Sequence, residues 1–155
     1  MGQVVSQSEL ISHRGEWKRR GQVVVSVCGA FDLLHPGHIR LLEQARGLGD
    51  VLVVLIEAGR ASPPTLVTPP NERAEILAAL AAVDEVTAID QSSRQGFLAR
   101  MRPDIVARGA ATRASDANRL EDAEIEALGC RVVYIPLEPG YTARNILQRI
   151  AELPA

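Results

Sequence analysis

Aromatic residues are scarce in this 155-residue sequence, at 3%. A core must therefore be assembled from Val, Leu, Ile and Ala, a palette that suits a parallel sheet covered by Ala- and Leu-rich helices. Lysine is scarcer still: Lys18 is the only one among 17 basic residues, so every later side-chain cation is arginine or protonated histidine. Arginine offers a planar fork of donors that suits phosphate oxygens, although a genome-wide compositional bias is the simpler cause. The two cysteines, Cys28 and Cys130, announce neither a disulfide framework nor a Cys-x-x-Cys metal site, and a reduced, cytoplasmic setting is expected. No apolar run approaches the roughly 18 residues of a spanning helix, and the N-terminus lacks a charged-then-apolar signal pattern, so no membrane partner is expected. Met1–Ser6 fits the loose N-myristoylation pattern, but one acyl chain anchors only marginally. A net charge of −2 provides no broad cationic field, which argues against a nucleic-acid partner.

At this length the chain fits one compact domain over residues 1–155, with an N-terminal helix in 1–20 and an α/β core over 21–151. Five apolar runs of strand length follow the first helix: Val23–Cys28, Val51–Glu57, Glu85–Ile89, Asp104–Ala107 and Arg131–Ile135. Helix-period stripes alternate with them, at Ile39/Leu42/Ala45/Leu48, Ile76/Leu77/Leu80, Phe97/Leu98/Met101, Leu120/Ala123/Ala127/Leu128 and Ile146/Leu147/Ile150. The alternation predicts a doubly wound, Rossmann-like three-layer sandwich around a five-stranded parallel sheet. Ligands in such folds bind beyond the carboxyl ends of the strands, where the strand order reverses. The one irregular stretch is Ala58–Asn71, with four prolines.

The loop after the first strand reads Gly29-Ala30-Phe31-Asp32-Leu33-Leu34-His35-Pro36-Gly37-His38 and runs directly into a helix. Its glycine spacing fits neither a dinucleotide fingerprint nor a P-loop. What it offers is two imidazoles flanking Pro36-Gly37 at a helix start. Pro36 favours the first helical turn, Gly37 lets an anion approach the backbone, and the helix N-terminus adds N–H groups and partial positive charge. Two of the three histidines of the chain sit here.

Gly-x-Phe-Asp-x-x-His-x-Gly-His after a first strand resembles the cytidylyltransferase-like nucleotidyltransferase superfamily. The resemblance continues through Ile39–Asp50, Asn71-Glu72-Arg73, Ala81–Asp84 and Arg102-Pro103-Asp104. It is greatest to the adenylyltransferase domain of bacterial heptose-phosphate enzymes, over roughly residues 8–151, and next to glycerol-3-phosphate cytidylyltransferases. The resemblance implies that a phosphorylated acceptor attacks the α-phosphorus of a nucleoside triphosphate, ATP favoured over CTP, and expels pyrophosphate with Mg2+ bridging the phosphates. It assigns His35 and His38 to transition-state stabilisation. Nucleotide binding falls to Gly29, Ala30, Phe31, Asp32, Gly37 and Arg73, to Arg108-Gly109 after the fourth strand, and to Tyr141, Thr142 and Arg144 at a second phosphate-binding helix start. The expected partners are the triphosphate and a small phosphorylated acceptor, and a homodimer is compatible with the family.

Three departures cluster where relatives grip substrate. Glu57-Ala58-Gly59 replaces Asn-Ser-Asp, and Ala61–Pro70 is short and proline-rich; Arg108-Gly109-Ala110-Ala111 replaces Lys-Gly-x-Asp; Thr142-Ala143-Arg144 replaces Ser-Thr-Thr. Losing one preorganised donor costs on the order of 10²–10³ in rate. A catalytically weakened nucleotide-binding or regulatory descendant is therefore one alternative, and a cytidylyltransferase acting on a polyol phosphate is another. The blander readings are a zinc site from Cys28, His35 and His38, hydrogen-bonded structural histidines, a turn-capping Asp32, exposed Arg73, Arg108 and Arg144, and a Thr142 that only caps its helix.

Overall fold

The computed structural model describes residues 1–58, 67–110 and 116–155. Gly59, residues 61–66 of the proline-rich stretch and Ala111 lie outside the described residues. In chain order the elements are β1 (Gln3–Val4), α1 (Gln7–Arg19), β2 (Val24–Gly29), α2 (Pro36–Arg46), β3 (Val51–Glu57), α3 (Pro70–Ala78), β4 (Glu85–Ile89), a 3-10 turn (Gln91–Ser93), α4 (Arg94–Met101), β5 (Ile105–Gly109), α5 (Asp116–Ala127), β6 (Arg131–Ile135) and α6 (Ala143–Ala151).

All strands pair in parallel, in the order β1-β4-β3-β2-β5-β6. The continuous aliphatic run of β3, buried from Val51 to Ile56, is what a central strand covered on both faces requires. One face, holding Val25, Val27, Leu52, Val54 and Ala107, packs on Leu42 of α2 and Leu77 of α3. The other, holding Val24, Val53, Leu55 and Val106, packs on Leu10 of α1, Leu98 of α4 and Ile125 of α5. The winding reverses between β2 and β5, which lie side by side, so that the loops after these strands open away from each other and leave a crevice.

Two expectations are corrected. Among the described residues the sheet has six strands: β1 is only two residues long, too short for a hydrophobic pattern, and it is held by backbone bonds from Gly2 to Ala78, Gln3 to Asp84 and Val5 to Val86. Gly2 is needed there, because a Cβ would stand 2.4 Å from the Val83 carbonyl oxygen. Ser6 then caps α1 in a reciprocal capping box with Glu9. The stripe assigned to α5 is also turned: Leu120, Ala123 and Ala127 face solvent, Leu128 just beyond the helix packs against the core, and Ile125 is the buried residue of the helix. Glu121 and Asp122 point inward instead, because Arg94 and Arg108 wait under the helix to pair with them.

Candidate functional site

β2 ends at Gly29 and α2 begins at Pro36 with His35 as its extended N-cap residue. His35 and His38 stack across the first turn of α2, ring centroids 3.8 Å apart and planes 22° from parallel. The ring of Phe31 tilts against His38 at 5.5 Å. Each imidazole buries its Nδ1, which has no hydrogen-bond partner among the described residues. Burial lowers the pKa of His35. Burial, reinforced by repulsion from His35 and only partly opposed by the Asp32 carboxylate, brings His38 down to about 4. In the free protein at neutral pH the pair is therefore uncharged.

The loop holding these rings is strained. Phe31 and Leu33 both have positive φ, 50° and 48°, and neither is glycine; such residues cost of order 1–3 kcal/mol each. Three features offset that cost. The Phe31 side chain is buried. Asp32 accepts from the backbone N–H groups of Val67 and Thr68 at 2.6 and 3.0 Å; burial works against the charged carboxylate, but these donors outweigh it and hold its pKa below the ordinary value. Arg73 is 1% exposed and donates to the carbonyls of Thr68 at 2.9 Å, Glu57 at 3.0 Å and Ala30. The aspartate and the arginine thus bind the histidine loop to the end of β3 and the entry to α3.

A second helix start faces the first. Thr142 caps α6, its Oγ1 accepting from the Asn145 N–H at 3.1 Å, after a turn in which Gly140 adopts φ +90°. Between the starts of α2 and α6 lies a cleft of about 610 Å3. Gly29, Ala30, Phe31, Asp32, His35, Gly37, His38, Gly109, Tyr141, Thr142 and Arg144 all line it. The approach is tight: a methyl group at Gly37 would lie 2.9 Å from His35 Nδ1 and 2.9 Å from Tyr141 Cβ. Two helix N-termini and a guanidinium directed at one cavity make it receptive to an extended anion.

Two expected members of the site lie elsewhere. Arg73 spends its guanidinium on three backbone carbonyls, so it positions the loop and does not face the cleft. Arg108 projects from the opposite face of β5, where it pairs with Glu121 at 3.1 Å and Asp122 at 2.8 Å. The same network holds Arg94, paired with Glu57 at 3.0 Å and Glu121 at 2.9 Å, and Tyr134, bonded to Asp122. The reason is strand parity: Gly109 shares the face of Ala107 and reaches the cleft, while Arg108 shares that of Val106. Cys28 touches both sides of the sheet. Burial pushes its thiol up to about 11 over the opposing pull of Arg94. Leu41, Leu137, Glu138 and Leu147 also line the cleft and were not singled out from sequence. The apolar stripe of α6 was the available signal for Leu147.

The cytidylyltransferase-like family matches residues 26–141. The chain is 37% identical over 153 residues to the bifunctional protein HldE of Koribacter versatilis, covering 94% of this chain and 31% of that protein. It is 32% identical over 153 residues to HldE of Methylobacillus flagellatus, covering 96% and 31%. The chain thus spans about a third of the length of these curated relatives. Among solved structures, the lipopolysaccharide core biosynthesis protein of Thermoplasma volcanium superposes with a TM-score of 0.62 at 28% identity, covering 76% of this chain and 98% of that one. Pantoate-beta-alanine ligase of Francisella tularensis shares the fold, with a TM-score of 0.64 at 18% identity, covering 95% and 73%. The stacked histidines and their helix start thus lie inside the matched region, and the chain belongs to the cytidylyltransferase-like family.

Proposed function

We propose that the chain transfers a nucleoside monophosphate, AMP in preference to CMP, from a nucleoside triphosphate to a phosphorylated small molecule such as heptose 1-phosphate, in the cytoplasm. An acceptor phosphate oxygen forms a bond to the α-phosphorus, the bond from that phosphorus to the bridging oxygen breaks, and pyrophosphate leaves. The observation that carries this reading is the convergence of His35, His38 and the starts of α2 and α6 on a cavity of nucleotide size. Family membership and the HldE relatives support it.

No covalent nucleophile is needed; the protein must align two anions and stabilise charge on the α-phosphate and the leaving group. His35 and His38 supply donors at the start of α2. Thr142 and Arg144 meet the distal phosphates from α6. Among the described residues no group of three His, Cys, Asp or Glu side chains is placed to hold a metal. Among the described residues, the carboxylates lining the cleft are engaged, Asp32 by backbone N–H groups and Glu138 by Arg40. In this reading Mg2+ enters with the triphosphate, as part of the substrate, as the family resemblance implies.

Calorimetric titration with ATP, CTP and GTP plus Mg2+, followed by pyrophosphate release over a panel of sugar and polyol phosphates, tests the proposal. ATP binding and release with a sugar phosphate is the expected result. Release with CTP and a polyol phosphate would reassign base and acceptor. Tight binding without release on any acceptor would establish the nucleotide-binding descendant, which Ala143 in place of a hydroxyl favours.

A further inference from the structure

No residue of α6 is buried, and Leu147 and Ile150 on its apolar stripe are 48% and 54% exposed. Packing against the sheet therefore does not fix where this helix begins. The bonds of Thr142 and Asn145 are local and travel with it. Arg40 reaches the entry segment from across the cleft. It sits three residues beyond Gly37, on the same side of α2. Its Nη1 contacts the Glu138 carboxylate, and its Cζ lies 5.0 Å from the centroid of the Tyr141 ring. Glu138 and Tyr141 flank the Gly140 turn, and both line the cleft. One guanidinium thus grips the segment leading into α6 on both sides of its turn.

We propose that Arg40 is a positioning residue: with Glu138 and Tyr141 it sets the spacing between the two helix starts that receive the triphosphate. The inference rests on the nucleotide reading of the cleft. Arg40 and Glu138 are 41% and 48% exposed, so the pair contributes little to folding. Its consequence is geometric, because donors aimed at phosphates lose effect when displaced by a fraction of an ångström.

A direct electrostatic role for these residues makes the opposite forecast for one substitution. Glu138→Gln removes a negative charge from the mouth of an anion site. If the pair acted only through charge, that change would tighten binding of ATP. If Glu138 is half of a clamp, the change weakens it.

The experiment measures two things for wild type, Arg40→Ala and Glu138→Gln: hydrogen exchange at residues 143–146 without nucleotide, and the Kd for Mg·ATP. Both variants are expected to speed exchange at the start of α6 several-fold while β2, β3 and β4 keep their protection. Both are expected to raise Kd about three- to tenfold, and Arg40→Lys is expected to recover part of each effect. Unchanged exchange in both variants overturns the clamp, and tighter ATP binding by Glu138→Gln overturns its positioning role. A wild-type protein with no triphosphate affinity overturns the cleft reading and, with it, the functional consequence, whereas the exchange measurement still judges the clamp.

Discussion

His38 provides a pH test of the site that needs no substrate. Its pKa falls from the ordinary 6.5 to about 4 on folding, chiefly through burial. Because the native state holds the proton less tightly than the unfolded state, stability falls as pH drops through 6.5 and the full penalty is reached below about 4. Linkage gives a loss of about 2 kcal/mol between pH 7.5 and pH 5, and screening of a ring partly open to the cleft reduces this to about 1 kcal/mol. Urea unfolding of wild type and His38→Asn at the two pH values isolates the effect, since the carboxylates common to both proteins cancel. The variant should gain about 1 kcal/mol on wild type at pH 5 relative to pH 7.5. Imidazole proton NMR should place the His38 titration well below 6. A triphosphate entering the cleft should draw a proton onto the pair, seen at pH 6 as a buffer-dependent heat of binding. A stability difference independent of pH, or a His38 titration near 6.5, would refute the reasoning.

Two further substitutions separate the cleft from the opposite face of the sheet. Gly37→Ala places a methyl 2.9 Å from both the His35 ring and Tyr141 Cβ; it should cost about 1–3 kcal/mol of stability and raise the Kd for Mg·ATP at least tenfold, as thermal melts and calorimetry will report. Arg108→Ala leaves Glu121 and Asp122, 13% and 14% exposed, without a partner they share; it should lower stability by about 2–3 kcal/mol yet leave triphosphate affinity within about twofold, and a larger loss of affinity would return Arg108 to the site.

The parts of the molecule that were legible in sequence are those where one local rule acts alone. β3, β4 and β6 begin and end where their apolar runs do; for β3 the cause is burial on two faces, which leaves little choice of residue. Gly29–His38 was legible because glycine, proline and paired histidines before a helix satisfy several constraints at once. The parts that were not legible depend on partners distant in sequence. Arg73 and Arg108 are arginines at plausible places, but their directions follow from three carbonyls in one case and from α5 in the other. Strand parity could have revealed Arg108, since Ile105 and Ala107 must share a face that excludes it. The inward turn of α5 was hidden because Glu121 and Asp122 look like solvent-facing residues until Arg94 and Arg108 are known to lie beneath them. Arg40 and Glu138 are separated by 98 residues, and no local pattern joins them.

The two-residue strand β1 has a consequence for handling the protein. It covers only Glu85 and Val86 of β4, the strand that would otherwise form that margin of the sheet. With β1 detached, β4 would present an open row of backbone donors and acceptors carrying Glu85-Val86-Thr87-Ala88-Ile89, a sequence rich in strand-forming residues and well suited to recruit another chain. Tags or truncations that disturb residues 2–5 would therefore be expected to act on colloidal behaviour before they act on the cleft, and the first sign of such damage would be turbidity on concentration.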